Sequence, residues 1–224
     1  QDGMFDDFKI DEVYALHNWP ELPLGTFGVN SGPMMAAVDE FDITVKGKGG
    51  HAASPHLAID PVVISAQVIS AVQTIISRST DPVDKALISI TKINAGTAYN
   101  VIDDQVKMGG TIRTFRRETR AYIEKRLNEL CKGIADAHGA EIKIEFDLVN
   151  KYPPTINSKE ETKFAANVAK DLVGDDKVIT DIDPSMGGED FSYLLEKKPG
   201  SYLYLGQGDA EHSAHLHTTK YDFN

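Results

Sequence analysis

Two stretches of this sequence concentrate histidine where a loop could aim it: Lys46-Gly-Lys-Gly-Gly-His-Ala-Ala-Ser-Pro-His56 and Glu211-His-Ser-Ala-His-Leu-His217. A further histidine, His17, closes the short apolar run Val13-Tyr-Ala-Leu16 and precedes Asn18-Trp19-Pro20. Neutral imidazole is a ligand for zinc, manganese, cobalt or nickel, and it also exchanges protons near neutral pH. Each loop can equally be read as a solvated turn whose histidines have no task. What separates the two readings is where the flanking elements hold them.

Residues 41–45 alternate apolar and polar side chains as a half-buried strand does, and the long apolar run from Pro61 to Ser79 has helical spacing, so His51 sits at a strand-to-helix junction. Asp60 followed by Pro61 supplies an N-cap and a first-turn proline. The adjacent glycines before His51 are expected to take positive φ and let the backbone approach a ligand. Residues 13–16 form a strand that delivers His17 at its carboxyl end, the place where ligands gather in open α/β sheets. Residues 24–38, broken by Gly25, Gly28, Gly32 and Pro33, form short strands and turns.

Strands at 86–93 and 105–112 are separated by a polar turn over 94–104. A helix follows over 118–138 with Gly139 as its C-cap, and the alternating stretch Glu141-Ile-Lys-Ile-Glu-Phe146 closes the set. Strand, helix, strand, strand, helix, strand is the order of a ferredoxin-like, four-stranded antiparallel sheet covered by two helices. After Tyr152-Pro-Pro-Thr155 come a helix over 159–173 capped from Asn157-Ser158, a short helix over 189–196 and a strand over 201–205. The expected organisation is therefore an α/β domain made of residues 1–38 and 151–224, into which an α+β domain of residues 39–150 is inserted.

A formal net charge of -11 argues against nucleic acid or an anionic membrane as partner, because both demand clustered Lys and Arg. No apolar run is expected to span a membrane, and no signal peptide opens the sequence. The single cysteine, Cys131, excludes an internal disulfide, reads as a small core hydrophobe and fits a reducing compartment, so cytoplasm is the default expectation. Gln1 and the abrupt Tyr221-Asp-Phe-Asn224 lead us to expect an internal piece of a longer protein.

Gly-Gly-His-Ala-Ala-Ser-Pro-His resembles the lid-domain signature of the M20 metallopeptidases, in the branch of hippurate hydrolase and other N-acyl-L-amino acid amidohydrolases. Ala-Leu-His-Asn-Trp-Pro and Leu-His followed by Tyr-Asp-Phe-Asn resemble that family's segments for two metal-binding histidines, which fall on His17 and His217. Ala95-Gly-Thr-Ala-Tyr-Asn-Val-Ile102 and Gly110-Thr-Ile-Arg-Thr-Phe115 resemble two further motifs and implicate Asn100 and Arg113 in substrate binding. A planar guanidinium suits the free carboxylate of an N-acyl amino acid. Ser185-Met-Gly-Gly-Glu-Asp-Phe191 resembles a segment beside the family's active site and adds Gly188 and Glu189 as lining residues. The pattern is departed from at Asp103, His215 and Thr219.

The resemblance implies a partial zinc-exopeptidase-like catalytic domain with an inserted lid and dimerisation domain. It further implies two divalent ions per site (Zn, Mn, Co or Ni), a homodimer, and His51 acting catalytically in the partner's site. The implied reaction of the complete protein is hydrolysis of an N-acyl amino acid, with a dipeptidase, a carboxypeptidase or an N-acetyl-diaminopimelate deacetylase as near alternatives. A non-catalytic dimerisation module is the alternative of another class. The family's other ligands and its glutamate base lie upstream of its equivalent of His17, so the chain alone is expected to be inactive.

Overall fold

The computed structural model describes residues 3–147, 151–209 and 214–222. In chain order they form helix α1 (Met4–Asp7), strands β1 (Val13–Pro23), β2 (Phe27–Gly28), β3 (Gly32–Met35), β4 (Ala37–Lys46) and β5 (Gly50–His51), and helix α2 (Pro61–Thr74). Strands β6 (Ala86–Asn94), β7 (Val101–Ile102) and β8 (Gln105–Thr114) precede helix α3 (Arg117–His138) and strand β9 (Glu141–Phe146). The return segment holds β10 (Thr155–Asn157), α4 (Lys159–Val173), β11 (Val178–Ile179), α5 (Ser192–Leu195) and β12 (Gly200–Gly208). These elements fall into two compact units, one of residues 1–36 and 152–224, the other Ala37–Lys151.

The second unit is an antiparallel sheet of order β6-β8-β4-β9 with β5 and β7 as a separate small ribbon. One face buries Phe41, Ile43, Val45, Met108 and Ile112 against Ile64, Val68 and Val72 of α2 and Ile123, Leu127 and Cys131 of α3. The spacing of those helix residues, three and four apart, is what turns one stripe of each helix to the sheet. Asp60 caps α2 by accepting from the amides of Val62 and Val63 at 2.8 and 3.4 Å, and Gly139 ends α3 at φ 64°. Residues Pro61–Ser79 are, against expectation, long and apolar enough by composition to cross a membrane. Here the regular helix ends at Thr74, a single π turn completes the run, and the Ile64, Val68, Val72, Ile75 stripe is core.

The glycines of the His51 loop do not use positive φ as expected; none of Gly47, Gly49 and Gly50 is in that region. Their reason is proximity. A Cβ on Gly47 would stand 2.0 Å from the carbonyl oxygen of Ile59, and one on Gly49 would stand 2.9 Å from that of Ile102. The loop is thereby pressed against the chain on both sides, and Lys48 and Ile59 exchange backbone hydrogen bonds at 2.9 Å.

In the first unit the sheet order is β1-β12-β2-β11, with β1 and β12 parallel from Val13 opposite Gly200 to Trp19 opposite Gly206. Strand β1 continues well past Leu16, so His17 lies within it rather than at its end. Pro20 and Pro23 are tolerated because β1 is an edge strand among the described residues, where a missing N–H costs no ladder bond. Helix α4 occupies 159–173 as expected, yet neither Asn157 nor Ser158 caps it through its side chain. Asn157 is instead buried and acts as a strut: its Oδ1 accepts from the Tyr202 amide at 2.7 Å, and its Nδ2 donates to the carbonyls of Tyr202 and Asn30, both at 2.9 Å.

In the second unit Asp39 is 1% exposed and accepts on both carboxylate oxygens from the Arg120 guanidinium, with Lys151 at 3.7 Å. Removing one partner leaves a buried charge uncompensated. Arg120→Met is expected to cost about 3 kcal/mol, near the lower end for such losses because Lys151 remains, while the double variant Asp39→Leu/Arg120→Met recovers most of it. Urea unfolding midpoints check this; a double variant no better than the single would contradict it.

Candidate functional site

In the first unit the site grows from β1 and β12. Their pairing sets His17 opposite Tyr204, and alternation along both strands brings His17, Trp19, Tyr202 and Tyr204 into one aromatic group. Trp19 stacks on Tyr204 with ring centroids 3.9 Å apart and 8° between planes, while His17 lies 6.0 Å from Trp19 and 6.3 Å from Tyr202. Nδ1 of His17 is 2.7 Å from the carbonyl oxygen of Asn18. A carbonyl only accepts, so Nδ1 carries the proton and the neutral ring offers its Nε2 lone pair. That is the tautomer a metal-ligating imidazole requires.

The loop carrying His217 is tied to β1 on both sides of that residue. His215 Nδ1 is 2.8 Å from Glu21 Oε1, and the Tyr221 hydroxyl receives a hydrogen bond from Asn18 and donates to Gln207 Oε1 at 2.7 Å. Gln207 in turn donates to the carbonyl of Asp222 at 3.2 Å. His217 itself has φ 61°, the one non-glycine residue with positive φ among the described residues. An L-residue pays for that conformation unless its surroundings impose it, and such residues cluster at functional sites. His212 falls outside the described residues. Among the described residues no cluster of three or more His, Cys, Asp or Glu could hold a metal ion.

Glu189 is held from two directions: Tyr202 donates its hydroxyl proton to Oε2, and the Phe191 amide donates to Oε1 at 3.3 Å. Burial, and then the bond to Glu189, push the Tyr202 phenol well above its ordinary range. Burial does the same to Tyr204. A hydrogen bond to Glu189 is the main cause that raises the Asp190 carboxyl, with burial second. Gly188 lies in the exposed bend just before this pair.

The second unit holds the other three residues at two separate places. Strands β5 and β7 pair Gly50 with Ile102 and His51 with Val101, and the Ala52 amide donates to the Asn100 carbonyl at 3.0 Å, so His51 and Asn100 share one exposed knuckle. Nδ1 of His51 accepts from the Ala53 amide at 3.0 Å, which leaves the proton of the neutral ring on Nε2. His51 is thus a donor outward where His17 is an acceptor. Arg113 lies near the far end of β8, opposite Val38. Eight residues separate it from Gln105, roughly 27 Å at the rise of an extended strand. Arg113 is half-buried on the sheet face away from the helices, in a polar hollow of about 330 Å³ shared with Glu40, Asp42, Lys92 and Thr111. Burial lowers its pKa, against the opposing pull of Glu40 and Asp39. It forms no ion pair among the described residues. Cys131 is buried in the core of this unit, its thiol pushed up to about 11 by burial, as a packing residue's would be.

The sequence reasoning missed Asn18, Tyr202, Gln207 and Tyr221. The strand expected over 201–205 is present within β12, but nothing local said that His17 would neighbour its tyrosines.

A mixed α/β sheet with His17 on β1, and with the segment carrying His217 tied to that same strand, is interrupted in sequence by a ferredoxin-like α+β unit. The chain is a member of Peptidase family M20/M25/M40, whose model matches residues 1–224. It is 42% identical over 220 residues to the N-acetyldiaminopimelate deacetylase of Lactobacillus helveticus, covering 96% of the chain and 56% of that protein. It is 38% identical over 224 residues to the hippurate hydrolase of Campylobacter jejuni, covering 100% and 57%. Among solved structures, the YXEP protein of Bacillus subtilis, described as a dinuclear metal binding peptidase from the M20 family, matches with a TM-score of 0.77 and 32% identity over 96% of the chain and 52% of its own. The chain thus spans little more than half the length of these relatives.

Asp190→Asn retains a donor for Glu189 without needing a proton. Because the folded carboxyl is raised, its contribution to stability is full below the ordinary value of 3.8 and is lost as pH rises through the higher folded value. The variant is therefore expected to melt at a higher temperature than the parent near pH 7 and at the same temperature near pH 3. A lower melting temperature for the variant near pH 7 would contradict a raised Asp190 carboxyl.

Proposed function

We infer that this chain is the larger part of an amidohydrolase that cleaves the amide bond of N-acyl amino acids, releasing a carboxylic acid and a free amino acid. The observation that carries the reading is the opposite proton placement on two histidines: His17 offers a lone pair from Nε2, and His51 offers a proton from Nε2. The first is what a metal ligand needs; the second is what an oxyanion needs. His217 would be the second histidine ligand. Two divalent ions, when bound, would lower the pKa of a bridging water and polarise the scissile carbonyl. Arg113, half-buried and without an ion pair among the described residues, would take the free carboxylate of the substrate, and Asn100 would help to orient it. Gly188 and Glu189 would line the site, with Glu189 held by Tyr202.

The separation along β8 favours a homodimer. His51 and Asn100 are too far from Arg113 within one protomer to meet on one small molecule, so one protomer would supply the knuckle and the other the arginine. The relatives' names divide between hippurate hydrolase and N-acetyldiaminopimelate deacetylase. A non-catalytic dimerisation module is the competing reading, and metal affinity separates the two.

By calorimetric titration, the chain is expected to bind Zn²⁺ at least tenfold more tightly than His17→Ala. His217→Gly is expected to lose affinity similarly while gaining about 0.5–1 kcal/mol of stability, because glycine accepts the left-handed backbone that histidine resists. Equally weak binding by all three proteins would favour the module. With two ligands and no candidate base among them, the 224-residue chain alone is expected to show no metal-dependent hydrolysis of hippurate, and robust turnover would overturn that expectation.

A further inference from the structure

Arg113 is useful as an anion site only if its guanidinium stays free of the carboxylates around it, and two of these, Glu40 and Asp42, share its face of the sheet. One neighbour holds it. Nη1 of Arg113 donates to the Thr111 hydroxyl and to the Ile112 carbonyl, the latter at 3.2 Å. The Thr111 hydroxyl donates its own proton to the Asp39 carbonyl at 2.9 Å. A hydroxyl has one proton, so with that proton committed to Asp39 its lone pairs are turned to Arg113. The Asp39 residue is in turn immobilised by the buried pair with Arg120, which also removes its carboxylate from competition for Arg113.

We propose that Thr111 is a positioning residue for Arg113: it occupies Nη1 and leaves the Nε and Nη2 edge of the guanidinium presented for a substrate carboxylate. The proposal rests on the carboxylate-binding reading of Arg113 given above. Glu40 stands opposite Thr111 in the strand pairing, so a guanidinium released from Thr111 has a ready partner in its own protein. Loss of the hydroxyl would therefore cost affinity twice, through disorder and through competition. Valine is the appropriate replacement, being nearly isosteric and well suited to a strand.

The test uses the 224-residue chain labelled with ¹⁵N at arginine. The Arg113 Nε–H signal, assigned by its absence in Arg113→Lys, is expected to show restricted motion in the parent, increased motion in Thr111→Val, and restored restriction in Thr111→Ser. Hippurate is expected to shift that signal in the parent, with an affinity about three- to tenfold weaker in Thr111→Val, the loss of one charged hydrogen bond. Unchanged motion and affinity in Thr111→Val, or a Thr111→Ser that behaves like valine, would overturn the role of Thr111. A parent whose Arg113 signal ignores hippurate would overturn the carboxylate reading instead, and the motion measurements would still decide whether Thr111 orders the guanidinium.

Discussion

The parallel pairing of β1 with β12 is the constraint on which the first unit depends. It joins segments near opposite ends of the chain, and it does so at a separation that excludes side chains at three points of β12. A Cβ on Gly200, Gly206 or Gly208 would stand about 2.0–2.1 Å from carbonyl oxygens of Val13, Pro23 and Pro20 respectively. Glycine there is a requirement of close approach rather than of backbone conformation. Once the pairing is made, His17 faces the tyrosines of β12, Asn157 can brace Tyr202 from the other side, and the loop after β12 returns to Asn18 and Glu21.

Two histidines with the same intrinsic chemistry are given opposite roles by one backbone group each. A carbonyl beside Nδ1 of His17 makes Nε2 an acceptor; an amide beside Nδ1 of His51 makes Nε2 a donor. Neither partner is a side chain, so the assignment is written into the local course of the backbone. At Glu189 a phenol and an amide occupy the carboxylate, and the carboxyl of its neighbour Asp190 is raised by their contact.

Electrostatics in the second unit depend on which acid is taken. Arg120 and Asp39 satisfy one another in the interior, close to the chain crossings at Ala37 and Lys151. Arg113, one strand position away from that pair, is desolvated without being neutralised. A buried ion pair is weak evidence for stability, but here it separates an arginine held by a carboxylate from one without an ion pair among the described residues.

Much of the fold is legible in the sequence because helices and caps obey local rules. The apolar stripes of α2 and α3, the Asp60 cap, the Gly139 terminus, the bounds of α4 and the order of strands in the antiparallel sheet all follow from spacing and turn chemistry. The histidines stood out by type, whereas Asn100 and Arg113 were singled out only through the motifs that resemble the family. What only the tertiary structure decided were the properties that need a distant partner. The run of β1 through Pro20 and Pro23, the diversion of Asn157 from cap to strut, the β5–β7 ribbon that joins His51 to Asn100, and the distance between that knuckle and Arg113 are set by pairings between residues remote in sequence. Local pattern names the side chains able to do chemistry; the closing of β1 onto β12 and the length of β8 decide which of them can work together, because strand pairing is non-local and its register appears in no single segment.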